Sequence, residues 1–254
     1  MKKSKDFRYW SLIIISLLLS CFLLYQKKHL TVYLIGDSTM ACYRSPQFPI
    51  AGWGMPFADF FDSTVTVKNK AEGGESTRTF IEENLWKHVA DSLRPGDYVL
   101  IQFGHNDEVP SKESYTTEKD YKANLIRFIT EARNKRANPV LITPVARRKF
   151  DDTGNIQDVH VAYSALVRDV ALEYKVPLID LNKKSQLLLQ ELGPEKSKFL
   201  FNHLAPGENP HFPEGNEDNT HFNELGARKI AEIVLAEIKI LKLELADRIV
   251  KPRH

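Results

Sequence analysis

Five short apolar runs constrain the fold of this chain more than any other feature of its sequence. They are Leu30–Ile35, Thr64–Val67, Tyr98–Phe103, Pro139–Thr143 and Val176–Leu181. Each run is nearly continuous in hydrophobicity, which is typical of strands that are buried on both faces of a parallel sheet. Because longer amphipathic stretches separate the runs, the pattern predicts βαβ units and an α/β fold.

The amphipathic stretches are clearest at Glu118–Lys135, Gln157–Tyr174 and Asn223–Ile249. Right-handed crossovers between parallel strands place such helices on both faces of the sheet, which predicts three layers. One long segment, Phe201–Thr220, is rich in Pro, Gly and Asn, and we expect it to be irregular. Loops of this length in a compact domain are usually functional or disordered.

Size and charge limit the classes of protein to which the chain can belong. Its 254 residues are enough for one domain with a large core. A formal net charge of +2 provides no strong basic field, so we expect no nucleic-acid partner. The two cysteines are Cys21 and Cys42, and only the second lies beyond the N-terminal segment, so no internal disulfide is expected.

Residues 1–29 form a predicted signal or anchor segment, which precedes a predicted domain over residues 30–254. The chain opens with the basic residues Lys2, Lys3, Lys5 and Arg8. An apolar run from residue 10 to residue 25 follows, as in an export leader. Three fates stay open: an uncleaved membrane anchor, lipidation at Cys21, or cleaved secretion. All three predict a periplasmic or extracellular domain that meets a membrane only through this segment; a buried core helix is the remaining alternative.

Polar clusters follow the first three predicted strands at Gly36–Thr39, Asn69–Gly74 and Gly104–Asp107. In open α/β sheets, ligands bind beyond the carboxyl ends of the strands. We therefore expect the three clusters to meet at one edge of the sheet, although each by itself is also ordinary turn chemistry.

Ser38 stands at the end of the first predicted strand, where a serine can act as a nucleophile. A serine nucleophile needs a base and a group that orients the base. Asp218 and His221 offer both, since at this spacing the carboxylate can contact the imidazole. The alternative for Asp218 is a helix N-cap, which is common before a helix.

Donors for a developing oxyanion are available on the same three loops. The candidates are the N–H groups of Ser38 and Gly74 and the side chain of Asn106. Each has a structural alternative when taken alone, because Gly-Gly is common in turns and a strand-end Asn often bonds its own loop.

Taken together, these blocks resemble the four conserved blocks of the GDSL/SGNH hydrolases in the same order. The matching residues are Gly36-Asp37-Ser38, Gly74, Gly104-His105-Asn106-Asp107 and Asp218-x-x-His221. Longer stretches such as VYLIGDSTMA, NKAEGGESTRTF and IQFGHNDE look like the rhamnogalacturonan acetylesterase branch. This likeness extends from Leu30 to about Ile240. It implies a flavodoxin-like α/β/α sandwich with a five-stranded parallel sheet.

The resemblance also implies a function. It predicts a serine esterase that removes acetyl groups from a plant cell-wall polysaccharide, above all acetylated rhamnogalacturonan, with no metal or organic cofactor. Ser38 would be the nucleophile, and Asp218 and His221 would complete the triad. Ser38, Gly74 and Asn106 would form the oxyanion hole.

Several further side chains have both a functional and a structural interpretation. Arg78, Arg147 and Arg148 follow the second and fourth strands, where they would bind a uronate of the substrate or make local ion pairs. Trp53 and Trp86 would stack on sugar rings or, as we favour, pack in the core.

Four other functions stay open from the sequence. An O-acetyltransferase would use the same acyl-enzyme, and an esterase could act on another acetylated glycan. A carbohydrate-binding protein without activity would have no need for the whole triad. A metal hydrolase is suggested by the His- and Glu-rich segment 203–221, but the order His105-Asn106 is the reverse of the Asn-His that phosphoesterases use.

Overall fold

Five parallel strands form the central sheet in the computed structural model, which describes residues 28–250. The strands are β1 (Leu30–Gly36), β2 (Val65–Asn69), β3 (Tyr98–Gln102), β4 (Asn138–Ile142) and β5 (Leu178–Ile179). Their order in the sheet is β2-β1-β3-β4-β5, and every neighbouring pair is parallel. The predicted α/β class and the number of strands are confirmed.

Within residues 28–250, six α-helices cover the two faces of this sheet. They are α1 (Thr77–Glu82), α2 (Leu85–Ser92), α3 (Glu118–Asn134), α4 (Val161–Glu173), α5 (Leu181–Lys196) and α6 (Glu224–Ile240). Short 3₁₀ helices lie at Pro56–Phe60, Ser197–Leu200 and Glu244–Arg248.

Alternate residues of β1, β3 and β4 belong to two hydrophobic clusters, one on each face of the sheet. In β1, Val32 and Leu34 pack with buried residues of α5 and α6. Tyr33 and Ile35, which point the opposite way, pack with α1, α2, α3 and α4. The period of two in a strand therefore divides a continuous apolar run between two cores. The result is the three-layer sandwich that the sequence predicts.

Two predicted elements end differently from the observed ones for a reason that the structure shows. The predicted strand Val176–Leu181 shrinks to β5 because the side chain of Asp180 accepts the N–H of Lys183 and begins α5. The predicted helix Asn223–Ile249 ends at Ile240, since Lys242 takes a positive φ of 52° that an α-helix cannot accommodate.

The prediction of an irregular segment over Phe201–Thr220 is wrong at both of its ends. Strands β6 (Phe201–Leu204) and β7 (Asn216–Phe222) pair antiparallel as a separate two-stranded sheet. Only the connection between them is irregular, and most of it is exposed. The Pro and Gly content marks this connection and not the strands beside it.

The predicted leader lies almost wholly outside the described residues, so its fate stays a prediction. Within residues 28–250, no helix combines the length and the apolar character that are needed to cross a membrane.

The aromatic core between the sheet and α3 provides a test of this packing. Phe128 is fully buried, with its ring centroid 4.9 Å from that of Trp86 and 5.8 Å from that of Phe103. Phe128→Ala should lower the free energy of unfolding by about 3–5 kcal/mol, because it leaves a large cavity. Phe199 is 72% exposed, so the matched Phe199→Ala should change the free energy by less than about 0.5 kcal/mol. Urea unfolding measures both, and equal losses would contradict the packing described here.

Candidate active site

The turn after β1 and the strand β7 bring three of the predicted site residues together. The Ser38 Oγ lies 3.0 Å from the Nε2 of His221, across 183 positions of sequence. The Nδ1 of His221 lies 2.7 Å from the Oδ2 of Asp218. The three side chains thus form one continuous hydrogen-bonded chain in the order serine, histidine, aspartate.

The surroundings of Asp218 determine which nitrogen of His221 carries the proton. Its Oδ1 accepts the backbone N–H groups of Thr220 at 2.7 Å and of His221 at 2.9 Å. Burial raises the pKa of this carboxyl, but these hydrogen bonds and the contact with His221 lower it below its ordinary value of 3.8. A carboxylate only accepts hydrogen bonds, so Nδ1 of His221 must donate and Nε2 is left as the acceptor for the Ser38 hydroxyl.

A buried contact joins the nucleophile turn to the loop after β3. The Oδ2 of Asp37, the neighbour of Ser38, lies 3.3 Å from the Nδ1 of His105, the neighbour of Asn106. Burial is the largest effect on both groups. It lowers the pKa of His105 to about 4, whereas for Asp37 the charge and hydrogen bonds of His105 and Thr39 outweigh it and lower the pKa to about 2. At neutral pH a neutral imidazole therefore donates to a buried carboxylate.

The same loop is joined to the loop after β2 and to the first residue of α1 by three further hydrogen bonds. The Nδ2 of Asn106 donates to the carbonyl of Glu75 at 2.8 Å, one residue beyond Gly74. The next residue, Asp107, accepts the N–H of Thr77 at 2.9 Å and its hydroxyl at 2.6 Å. The N–H of Glu72 also donates to the Gly36 carbonyl at 3.1 Å, so the three polar clusters predicted to meet at one edge of the sheet lie together there.

The family of the chain follows from its sequence. The profile of the GDSL-like lipase/acylhydrolase family matches residues 34–229, which include all of the side chains described above. The chain belongs to this family. It is therefore a carboxylic ester hydrolase, and its relatives include named esterases.

Two of these relatives from Bacillus subtilis are similar along nearly the whole of their length. The hydrolase is 43% identical to the rhamnogalacturonan acetylesterase RhgT over 89% of this chain and 96% of that protein. It is 37% identical to the probable rhamnogalacturonan acetylesterase YesY over 87% of this chain and 98% of that protein.

Solved structures support the fold. The crystal structure of the Bacillus subtilis protein YxiM matches with a TM-score of 0.73 and 29% identity, covering 86% of this chain and 58% of that one. The acetylxylan esterase Axe2 of Geobacillus stearothermophilus matches with a TM-score of 0.60 over 89% of this chain and 98% of its own. At 19% identity, the second likeness concerns the fold alone.

Two glycines in the site loops of the hydrolase take backbone conformations that side chains disfavour. Gly104 has a φ of 145°, and a Cβ there would lie 2.4 Å from the Cγ of Pro144. Gly74 has a φ of 88°, yet no atom of the described residues lies within 4 Å of the position of a Cβ. Glycine at position 74 is therefore required by the backbone conformation and leaves open space beside the loop.

A hydrogen-bonded chain beneath the nucleophile was not predicted from the sequence. Trp53 donates through its Nε1 to Gln102 at 2.8 Å, and Gln102 donates to the hydroxyl of Thr39 at 2.7 Å. The Thr39 hydroxyl in turn donates to Asp37 at 2.7 Å. The one available signal was the polar Gln102 within an otherwise apolar strand. Trp53 is fully buried, which confirms the packing interpretation.

The surroundings of Trp86 and His160 are defined by buried polar contacts. Trp86 is buried and donates to Glu131 at 2.6 Å, so its packing role is also confirmed. His160 is buried against the ring of His105, with its Nδ1 2.9 Å from a carboxylate oxygen of Glu108. Within residues 28–250, no three His, Cys, Asp or Glu side chains are grouped so that they could hold a metal ion.

The arginines after β4 contact the segment that carries the triad. Arg147 donates to the Thr220 hydroxyl at 2.8 Å and to the His105 carbonyl at 3.2 Å. Arg148 donates to the Asn219 side-chain oxygen at 2.6 Å, and its other nitrogens donate to Ser197 and Pro194. These contacts give both side chains a structural role, and binding of a substrate carboxylate by them stays a prediction.

Arg78 also bonds the protein itself. It lies on α1 and donates to the carbonyls of Glu113 and Tyr115 and to the carboxylate of Glu82. Its predicted contact with a uronate likewise stays a prediction.

The buried histidine at position 105 predicts a loss of stability in mild acid. In the unfolded chain, a histidine takes up a proton near its ordinary pKa of 6.5, whereas folded His105 resists protonation down to about pH 4. The stability that the neutral side chain contributes is thus complete above pH 6.5 and is lost as the pH falls towards 4. Between pH 6.5 and pH 4, the free energy of unfolding of His105→Gln should fall less steeply with decreasing pH than that of the wild type. The two slopes should differ by up to about 1.4 kcal/mol per pH unit.

The measurement is urea unfolding at intervals from pH 7 to pH 4. His88 is exposed, so His88→Gln provides the matched loss of one histidine outside the core. The interpretation fails if His105→Gln and His88→Gln reduce the slope equally.

Proposed function

We propose that this hydrolase is a carbohydrate acetylesterase that acts on acetylated rhamnogalacturonan through an acyl-enzyme on Ser38. One observation carries the proposal. A hydrogen-bonded Ser38–His221–Asp218 chain occurs in a protein that is 43% identical to a rhamnogalacturonan acetylesterase across 96% of that relative's length.

The first half of the reaction follows from the proton positions. The Nε2 of His221 accepts the hydroxyl proton as the Oγ of Ser38 attacks the ester carbonyl, and Asp218 stabilises the resulting imidazolium. The imidazolium then donates this proton to the departing sugar oxygen, which leaves an acetyl group on Ser38. In the second half, His221 takes a proton from water as the water oxygen attacks the acyl carbon, and it returns this proton to the Oγ of Ser38 as the acyl–oxygen bond breaks and acetate is released.

The oxyanion that forms in both halves needs donors close to Ser38. We propose the N–H groups of Ser38 and Gly74 and the second Nδ2 hydrogen of Asn106 for this role. One Nδ2 hydrogen of Asn106 is directed to the Glu75 carbonyl, so one remains for the substrate. Each such donor typically contributes about 3 kcal/mol to the lowering of the barrier.

The surroundings of the triad favour a small acyl group. The side chain of His221 is 30% exposed and that of Asp218 is 21% exposed. The connection between β6 and β7 is polar, Pro-rich and mostly exposed, so it offers no apolar cover for a fatty chain. Burial of each CH₂ would stabilise a long acyl chain by about 0.8 kcal/mol, a gain that an exposed polar connection does not provide.

The triad is tested by substitution. Ser38→Ala and His221→Ala should each lower kcat on p-nitrophenyl acetate by about 10⁴-fold or more, with the fold retained. Asp218→Ala should lower kcat by a smaller factor, because this carboxylate orients and stabilises the base without touching the substrate. Ser63 is exposed, and Ser63→Ala serves as the matched control. Turnover by Ser38→Ala at the wild-type rate would exclude the mechanism.

The substrate class is tested with a panel of acetylated polysaccharides. Acetate release should be fastest from acetylated rhamnogalacturonan, slower from acetylated xylan, and negligible from long-chain acyl esters. The same assay with an added acceptor sugar detects acetyl transfer, and transfer that exceeds acetate release would establish the acetyltransferase alternative instead. A preference for long-chain esters would contradict the whole proposal.

We also propose that the enzyme works outside the cytoplasm. Support comes from the basic and apolar N-terminal residues, which lie outside the described part of the chain, and from a polymeric substrate. Recovery of the native protein from the cytosol with residues 1–25 intact would contradict this.

A further inference from the structure

An ammonium group lies against the proposed oxyanion donor. The Nζ of Lys112 donates to the Oδ1 of Asn106 at 2.6 Å. Asn106 itself is only 3% exposed, whereas Lys112 lies at the surface and extends its side chain inwards. Neither the family resemblance nor the triad geometry assigns a role to this lysine.

The two contacts of Asn106 fix the orientation of its side-chain amide. An ammonium can only donate, so the atom that faces Lys112 must be the amide oxygen. The carbonyl of Glu75 can only accept, so the atom that faces it, at 2.8 Å, must be the amide nitrogen. Both contacts require the same orientation of the amide. The second Nδ2 hydrogen then has no acceptor among the described residues.

We propose that Lys112 is a positioning residue that orients and polarises the Asn106 amide for oxyanion stabilisation; this inference rests on the proposed function. A positive charge on the amide oxygen withdraws electron density from the nitrogen. The Nδ2 hydrogens then become stronger donors, as in hydrogen-bond chains whose members polarise one another. The effect is larger in a buried site, where the local dielectric is low.

The segment that carries Lys112 is held in place by the protein. The backbone N–H of Lys112 donates to the Val109 carbonyl at 3.0 Å, and its own carbonyl accepts the N–H of Tyr115 at 3.0 Å. Arg78 donates to the carbonyls of Glu113 and Tyr115, which ties this segment to α1. The lysine therefore extends from a turn with a defined position relative to the loop after β2.

The inference predicts a kinetic effect that belongs to the transition state. Negative charge on the substrate oxygen develops only during attack, so a weaker Asn106 donor should lower kcat and leave KM nearly unchanged. The oxyanion forms in acylation and in deacylation, so the loss appears whichever half limits turnover. A neutral substrate, p-nitrophenyl acetate, excludes any direct contact between Lys112 and a uronate.

The experiment compares three variants of the full chain. Lys112→Met keeps the length of the side chain and removes the charge, and it should lower kcat about tenfold, less than the loss of a whole donor. Lys112→Arg restores a cationic donor and should recover most of that loss. Lys119 is exposed in the first turn of α3, so Lys119→Met provides the same change of charge outside the site and should leave kcat unchanged.

A double-mutant cycle with Asn106→Ala separates this role from general support of the loop. If Lys112 acts through the amide, Lys112→Met should have almost no effect on kcat in the Asn106→Ala background. A tenfold loss in both backgrounds would overturn the inference, as would unchanged kcat in Lys112→Met. A rise in KM without a change in kcat would overturn it as well.

Ser38→Ala, assayed in parallel, separates the two proposals. If Ser38→Ala is active, the proposed function fails. If Ser38→Ala is inactive while Lys112→Met retains full kcat, the function stands and only the role of Lys112 is wrong. Lys112→Met leaves the buried amide oxygen of Asn106 without its ammonium partner, so its midpoint of thermal unfolding should fall slightly but stay above the assay temperature. A kcat loss accompanied by unfolding at the assay temperature would count against a positioning role.

Discussion

The site depends on one buried carboxylate, that of Asp37. A charge in the core is costly unless donors surround it, and here the Thr39 N–H, the Thr39 hydroxyl and the His105 ring all contact it. These contacts set the turn that presents Ser38 and fix the position of the loop that carries Asn106. Ser38 directly follows Asp37 in the chain, and Asn106 directly follows His105. The buried Asp37–His105 pair therefore adjoins both the nucleophile and a proposed oxyanion donor. Any change that leaves this carboxylate without donors would disturb both at once.

The second half of the site comes from the other end of the chain and needs its own support. Strand β7 belongs to a two-stranded sheet that is separate from the central one, so the main sheet does not position Asp218 and His221 by itself. Asn219 and Thr220, which lie between them, are held by Arg148 and Arg147 from the loop after β4. Arg147 also donates to the carbonyl of His105. One arginine thus contacts both the triad segment and the loop of the proposed oxyanion donor.

The triad side chains are partly exposed to solvent, whereas the groups that support them are buried, and this arrangement suits acyl transfer. The triad side chains that would handle protons and the acyl group are partly open to solvent, so substrate and water can reach them. The groups that orient them, such as Asp37, Gln102 and His105, are buried and hydrogen-bonded. Orientation then costs little during the reaction, because the supporting groups are already fixed by folding. Buried Asp107, whose pKa burial raises to about 7 against the lowering effect of its hydrogen bonds with Thr77, belongs to the same supporting layer.

The sequence by itself determined the fold class, because the apolar runs and their spacing are local properties that fix strands, helices and their alternation. It also identified Ser38, Asp218 and His221 as a group through motif order, and the structure places their side chains in contact. The strands β6 and β7 were missed because β7 is a polar segment with little apolar periodicity, so no local pattern marks its pairing with β6. The contacts of Gln102, Lys112 and the arginines were decided only by the tertiary structure. A polar side chain carries no local sign of its partner, since the partner of Lys112 is known only after the loop is folded against Asn106.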